Sequence, residues 1–140
     1  MKILTDSEER EALQIMDFAA EIAKLSSCYR SQCGSVIVKD KKIIGKGYNS
    51  PPSDMKLIYC LKDFLPADFK SDKTCCVHAE QRAIMDALQN NPEKIKDSRL
   101  YFIRIDRSGN KSQFFFGICS ISTVFIYFDA LIFLDRCLVN

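Results

Sequence analysis

The only histidine in the chain, His78, stands two residues before Glu80 in Val77-His78-Ala79-Glu80. A neutral imidazole is a good zinc ligand, and a carboxylate beside a metal can take a proton from bound water and hand it on. Residues two apart do not share a helix face, so the pair can serve one site only at a helix tip, where the first turn projects towards a ligand. Taken alone, the pair reads better as helix-start chemistry, with Glu80 a first-turn acid favoured by the helix dipole. The wider context decides between the two. Seven cysteines accompany it, Cys28, Cys33, Cys60, Cys75, Cys76, Cys119 and Cys137. An odd number with no export signal points to thiols, as metal ligands or as small buried apolar residues, and away from a disulfide framework.

The segment Cys75-Cys76-Val77-His78-Ala79-Glu80-Gln81-Arg82-Ala83-Ile84 follows, in order, Ser27-Cys28-Tyr29-Arg30, Gly34-Ser35-Val36-Ile37-Val38 and Gly47-Tyr48-Asn49. Downstream come Leu100-Tyr101-Phe102-Ile103-Arg104-Ile105-Asp106 and Gly109-Asn110. This ordered set resembles the zinc-dependent cytidine/deoxycytidylate deaminase family over most of the chain, from about residue 10 to residue 120. The resemblance implies hydrolytic deamination of a cytosine nucleoside or nucleotide, in which a zinc-activated water attacks C4 of the ring. It also implies one Zn2+ per chain, with His78 as a ligand, Glu80 shuttling protons to the ring and to the leaving ammonia, and Asn49 contacting the sugar. Asn49, after Gly-Tyr and before two prolines, is also ordinary turn chemistry.

The family's second motif, a proline followed by C-x-x-C, falls on Phe114-Phe115-Phe116-Gly117-Ile118-Cys119-Ser120. Cys119 matches the second cysteine, and Phe116 stands where the first would be. The resemblance therefore implies His78 and Cys119 as metal ligands, one thiolate short of the usual three protein donors. Two outcomes stay open: a zinc hydrolase of reduced or lost activity, or a catalytically impaired deaminase-fold protein that binds a nucleotide or partner subunit without turnover. If the fold sets Phe116 beside His78 and Cys119, then Phe116→Cys restores the donor set. Cys60 with Cys75 or Cys76 is similar to a second cysteine cluster in some relatives, yet with no further histidine to help, burial is the expected role.

The elements that position these residues follow from periodicity. Thr5-Asp6-Ser7-Glu8 offers a capping box, and Ala12, Ile15, Ala19, Ile22 and Ala23 recur at helical spacing. Ser35 to Val38, a polar turn at Lys39 to Lys42, and Ile43-Ile44 before Gly45 and Gly47 read as a hairpin. Asn49 to Thr74 holds Pro51, Pro52 and Pro66 without periodicity, a loop long enough to be functional. A second helix is expected from Cys76 to about Asn91, striped by Ala83, Ile84, Ala87 and Leu88 and closed by Pro92. Leu100 to Ile103 reads as a buried strand, Asp106 to Asn110 as a turn, Cys119 as the start of a third helix, and Leu131 to Leu134 as a last strand. Alternating elements in the second half imply parallel pairing across helical crossovers. The expected fold is a single α/β domain over residues 1–140, a cytidine deaminase-like α/β sandwich with a central mixed sheet flanked by helices and truncated at its C-terminus.

Composition narrows the partners. The 20 basic and 18 acidic residues, net +2, are spread along the chain without the basic block that tracks a phosphate backbone. A pyrimidine nucleoside or nucleotide is the expected ligand, with no nucleic acid. Phe114 to Leu134 is apolar, but Gly117, Ser120, Ser122, Thr123 and Asp129 interrupt it, so a membrane anchor is not expected. The opening Met1-Lys2-Ile3-Leu4-Thr5-Asp6 lacks the apolar core of a secretory signal, which makes the cytoplasm the expected location. An unfinished sheet edge and the cluster from Phe114 to Phe116 point to a homo-oligomer.

Overall fold

The computed structural model describes residues 6–66, 68, 75–106, 111–121, 125–127, 130–132 and 137–139; among these, the side chains of 6, 61 and all positions from 111 onward except Ile121 are outside the description. Helix α1 (Asp6–Ala23) leads into strands β1 (Gln32–Lys39) and β2 (Lys42–Tyr48). Helix α2 (Ala79–Asn90) follows the long loop, and β3 (Ser98–Ile105) and β4 (Lys111–Ile121) come next. Three short strands close the described order: β5 (Phe125–Tyr127), β6 (Ala130–Ile132) and β7 (Cys137–Val139).

A five-stranded sheet of order β2-β1-β3-β4-β7 forms the centre, and β5 pairs with β6 separately. The alternation of side chains along β1 sends Val36 and Val38 to one face and Ile37 to the other. On the first face, Val36, Val38, Tyr101, Ile103 and Ile105 pack against Met16, Ala19, Ala20 and Ala23 of α1. On the second, Ile37, Ile44, Leu100 and Ile121 pack against Ala83, Ile84 and Ala87 of α2. The alanine stripes let both helices approach the sheet closely, and the result is a helix–sheet–helix sandwich. Gly45 and Gly47 complete the fit under α2: a Cβ on Gly47 would overlap the Ala79 carbonyl oxygen and the Ala83 nitrogen, and one on Gly45 would overlap the Ala83 carbonyl.

The second half departs from expectation. Position 119 does not open a helix; it lies inside β4, which pairs antiparallel with β3, Leu100 opposite Cys119 and Ile103 opposite Phe116. Every described strand pairing is antiparallel, so the expected parallel crossover is not among them. The apolar run from Phe114 suits a strand in a two-sided sheet as well as a helix, and pairing with β3 satisfies its backbone groups. The expected last strand is present in part, at Ala130–Ile132; the turn at Asp106 to Asn110 lies mostly outside the described residues. Among the described residues no helix is long and apolar enough to cross a membrane.

Candidate functional site

The tip of α2 is set by short-range bonding. His78 is the N-cap, in extended conformation (φ −71°, ψ 151°), and its N–H donates to Gln81 Oε1 at 3.1 Å, so the helix starts at Ala79 with His78 and Glu80 both in its opening turn. The chain leading in is anchored to the end of β2 by a reciprocal backbone pair, Val77 N–H to the Ser50 carbonyl at 2.9 Å and Ser50 N–H to the Val77 carbonyl at 3.3 Å. Arg82, one turn along, donates to the Pro51 carbonyl at 3.2 Å, pairs with Asp54 at 3.0 Å and stacks over the Tyr48 ring.

These constraints present one cavity of about 400 Å³, a size suited to a small ligand. His78, Glu80 and Asn49 all line it, so three of the four residues singled out by sequence come together. Burial pushes the Glu80 carboxyl above the usual carboxylate range, against the lowering effects of its own backbone N–H and of His78. Asn49 is buried and its amide is engaged within the chain. Its Oδ1 accepts the Cys33 N–H at 2.7 Å and the Ser26 hydroxyl at 2.8 Å, and its Nδ2 donates to the Ser31 carbonyl at 3.0 Å. The clasp ties the end of β2 to the segment entering β1.

Of the rest of the lining, the resemblance had grouped Cys60 with Cys75 or Cys76, whereas Cys33 and the cations were missed. Cys28, Cys33, Cys60, Cys75 and Cys76 share the cavity wall, with Arg30, Lys62 and Arg104 as its cations. Burial, followed by the charge of Glu80, pushes the Cys33 thiol up to about 11. Burial and the neighbouring thiols likewise raise Cys76, and burial raises Cys60. For the missed residues, the available signal was the position of Cys33 and Arg104, each one residue from a strand end at the mouth of the sheet.

The fourth residue, Cys119, is located by the backbone register of β4 alone. Gly47, Ser35, Phe102 and Gly117 stand side by side across the sheet beneath Ala79, whereas Cys119 belongs to the row of Gly45, Ile37 and Leu100 beneath Ala83 and Ala87. That row is two residues further along each strand, about 7 Å away. The side chain of Cys119 lies outside the described residues. Among the described residues no group of three histidine, cysteine or acidic side chains is arranged to hold a metal ion.

An α/β sandwich with an imidazole and a carboxyl on a helix tip, facing one cavity, defines the class as deaminase-like. Residues 9–113 match the family model of the cytidine and deoxycytidylate deaminase zinc-binding region, and the chain belongs to that family. The match ends before Phe116 and Cys119. A deoxycytidylate deaminase of Saccharomyces cerevisiae is 32% identical over 100 residues, covering 62% of this chain and 31% of the relative. One of Mycobacterium phage D29 is 36% identical over 78 residues, 50% of this chain and 61% of the relative. The chain thus spans about a third and about three fifths of these relatives' lengths. Among solved structures, a dCMP deaminase of cyanophage S-TIM5, in complex with dCMP and dUMP, superposes with a TM-score of 0.50 at 24% identity, covering 71% of this chain and 67% of that one. At that identity it shows the fold, which is cytidine deaminase-like.

Proposed function

We propose that the chain hydrolytically deaminates a cytosine nucleotide of the deoxycytidylate class. The observation that carries this reading is the convergence of Glu80, His78 and Asn49 on one cavity. The named activity of the curated relatives supports it. A pyrimidine ring enters beside the helix tip; the Glu80 carboxylate takes one proton of the attacking water and, with its carboxyl raised by burial, passes it to the ring nitrogen, then moves the second proton from the new hydroxyl to the departing ammonia. Lys62 and Arg104, with Arg30 held by Asp63 at 2.9 Å, are the cavity cations that a nucleotide phosphate would meet. The reaction is measured as dUMP formed from dCMP, with zinc content determined on the same sample. Glu80→Gln, nearly isosteric, is expected to remove turnover by at least about a hundredfold while leaving dCMP binding within a few-fold. Loss of binding in step with turnover counts against the assigned role.

A second reading, binding of the nucleotide without turnover, is favoured by one observation: the row of Cys119 lies under the second turn of α2 and not under its tip. Calorimetric binding of dCMP with no dUMP formed, at any zinc concentration, selects it. Under either reading the chain is a cytoplasmic homo-oligomer, with exposed Leu25, Met55, Ile58 and Met85 as apolar surface for a second copy; a monomer in sedimentation at micromolar concentration overturns that part.

A further inference from the structure

The two faces of β3 end differently. On the α1 side, Tyr101, Ile103 and Ile105 are buried to the last residue of the strand. On the α2 side Leu100 is buried, but Phe102 and Arg104 are only half-buried. The cause is where α2 begins. Its first residue, Ala79, sits over Gly47, in the row that crosses the sheet through Ser35 to Phe102. The next row outward, where Cys33 stands opposite Arg104, lies beyond the start of the helix. Phe102, Arg104 and Cys33 therefore line the cavity together with His78 and Glu80 of the helix tip. Among the described residues of that lining, Phe102 is the sole phenyl ring. Its neighbours across the sheet, Ser35 and Gly117, are small, and it packs against the apolar cluster under α2. The ring is thus backed by the core and open to the cavity.

We propose that Phe102 is the platform on which the pyrimidine base lies and that Arg104, next on the same face, holds the 5′-phosphate, so that β3 fixes the direction of the bound nucleotide. This deepens the proposed reading of the cavity and rests on it. Residues two apart on a strand share a face at a spacing of about 7 Å, and one sugar separates the base of a deoxynucleotide from its phosphate. A flat heteroaromatic ring gains from contact with a phenyl face. A guanidinium fork takes a phosphate through paired, charge-assisted hydrogen bonds. With its base over Phe102, the nucleotide has its ring beside the helix tip that carries Glu80, and its phosphate at the mouth. The class selected is a nucleoside monophosphate, since a free nucleoside forgoes the contact with Arg104 and a phosphosugar forgoes the one with Phe102.

Calorimetry on the full chain with three probes, dCMP, deoxycytidine and 2-deoxyribose 5-phosphate, separates the two contacts and needs no turnover. Phe102→Ala is expected to weaken dCMP and deoxycytidine by roughly 10- to 100-fold and the phosphosugar by less than about threefold. Arg104→Gln gives the reverse pattern, with dCMP and the phosphosugar weakened by roughly 10- to 100-fold and deoxycytidine by less than about threefold. Because Phe102 also packs in the core, Phe102→Leu is measured beside it, keeping the apolar contact without the ring face. It should show most of the base-specific loss at nearly wild-type stability; base affinity restored by leucine would make the residue packing and overturn the platform. Equal losses for all three probes, no loss, or a wild type that binds dCMP but neither fragment would also overturn the proposal. A wild type that binds no dCMP defeats the proposed function and this inference together, whereas dCMP bound without the two opposed patterns defeats this inference alone.

Discussion

The side-chain oxygen of Asn49 accepts the backbone N–H of Cys33 at 2.7 Å. Because the same amide also holds Ser26 and the Ser31 carbonyl, Asn49 closes the segment before β1 against the end of β2. Asn49→Ala leaves that N–H and that carbonyl without partners in a buried setting, and is expected to lower unfolding stability by about 2–4 kcal/mol in urea titration. Asn49→Asp keeps the acceptor and should cost about half as much. A loss below about 0.5 kcal/mol for Asn49→Ala, with nucleotide binding abolished, would make the residue a ligand contact and not a clasp.

Gly47 supports the helix tip from below. Its missing Cβ leaves room for the Ala79 carbonyl and the Ala83 nitrogen, which are helix backbone and cannot rotate away. Gly47→Ala must displace the first turn of α2, at an expected cost of about 1–3 kcal/mol and with weakened dCMP binding through His78 and Glu80. Lys46→Ala, on the exposed face of the same strand, is the control and should change stability by less than about 0.5 kcal/mol. Equal effects from the two would remove the close-approach argument.

The thiol of Cys33 gives a pH signature. Its ordinary value of 9.0 is pushed up to about 11 in the fold, so between these values the unfolded chain has lost a proton that the folded chain retains. Stability therefore falls as pH rises through this window, by about 3 kcal/mol in total, and the contribution is flat below and above it. Comparison of wild type with Cys33→Ala across pH 8 to about 11 isolates it from other groups: the gap between their unfolding free energies should narrow or reverse as pH rises. A gap that does not change with pH refutes the shift.

Much of the first half was legible because its signals are local. The apolar spacing of Ala12, Ala19 and Ala23 gave α1, alternation from Ser35 to Val38 gave β1, and the stripe from Ala83 to Leu88 gave α2. His78 and Glu80 were placed at a helix tip by the rule that residues two apart do not share a face. The run from Phe114 was misread because a continuous apolar stretch carries no period, and partner strands decide what it becomes. The clasp at Asn49 has no spacing rule; it arises from loops folded back on one another, as does the approach of Cys28 to the cysteines that the resemblance had grouped at Cys60, Cys75 and Cys76.

The register of β4 makes a prediction about zinc. Positions 116 and 119 are three apart in a strand and so fall on opposite faces. Their partners agree: Ile103, opposite Phe116, packs in the α1 cluster, while Leu100, opposite Cys119, packs in the α2 cluster. On this register a cysteine at 116 is not expected to join Cys119 and His78 around one ion. Phe116→Cys is expected to leave zinc per chain, measured by plasma mass spectrometry after dialysis, at the wild-type value, and to leave dUMP formation unchanged. If zinc instead rises to one per chain and deamination appears, dependent on Glu80, then β4 adopts another register in the working protein, and Phe116 does stand in the place of a ligand.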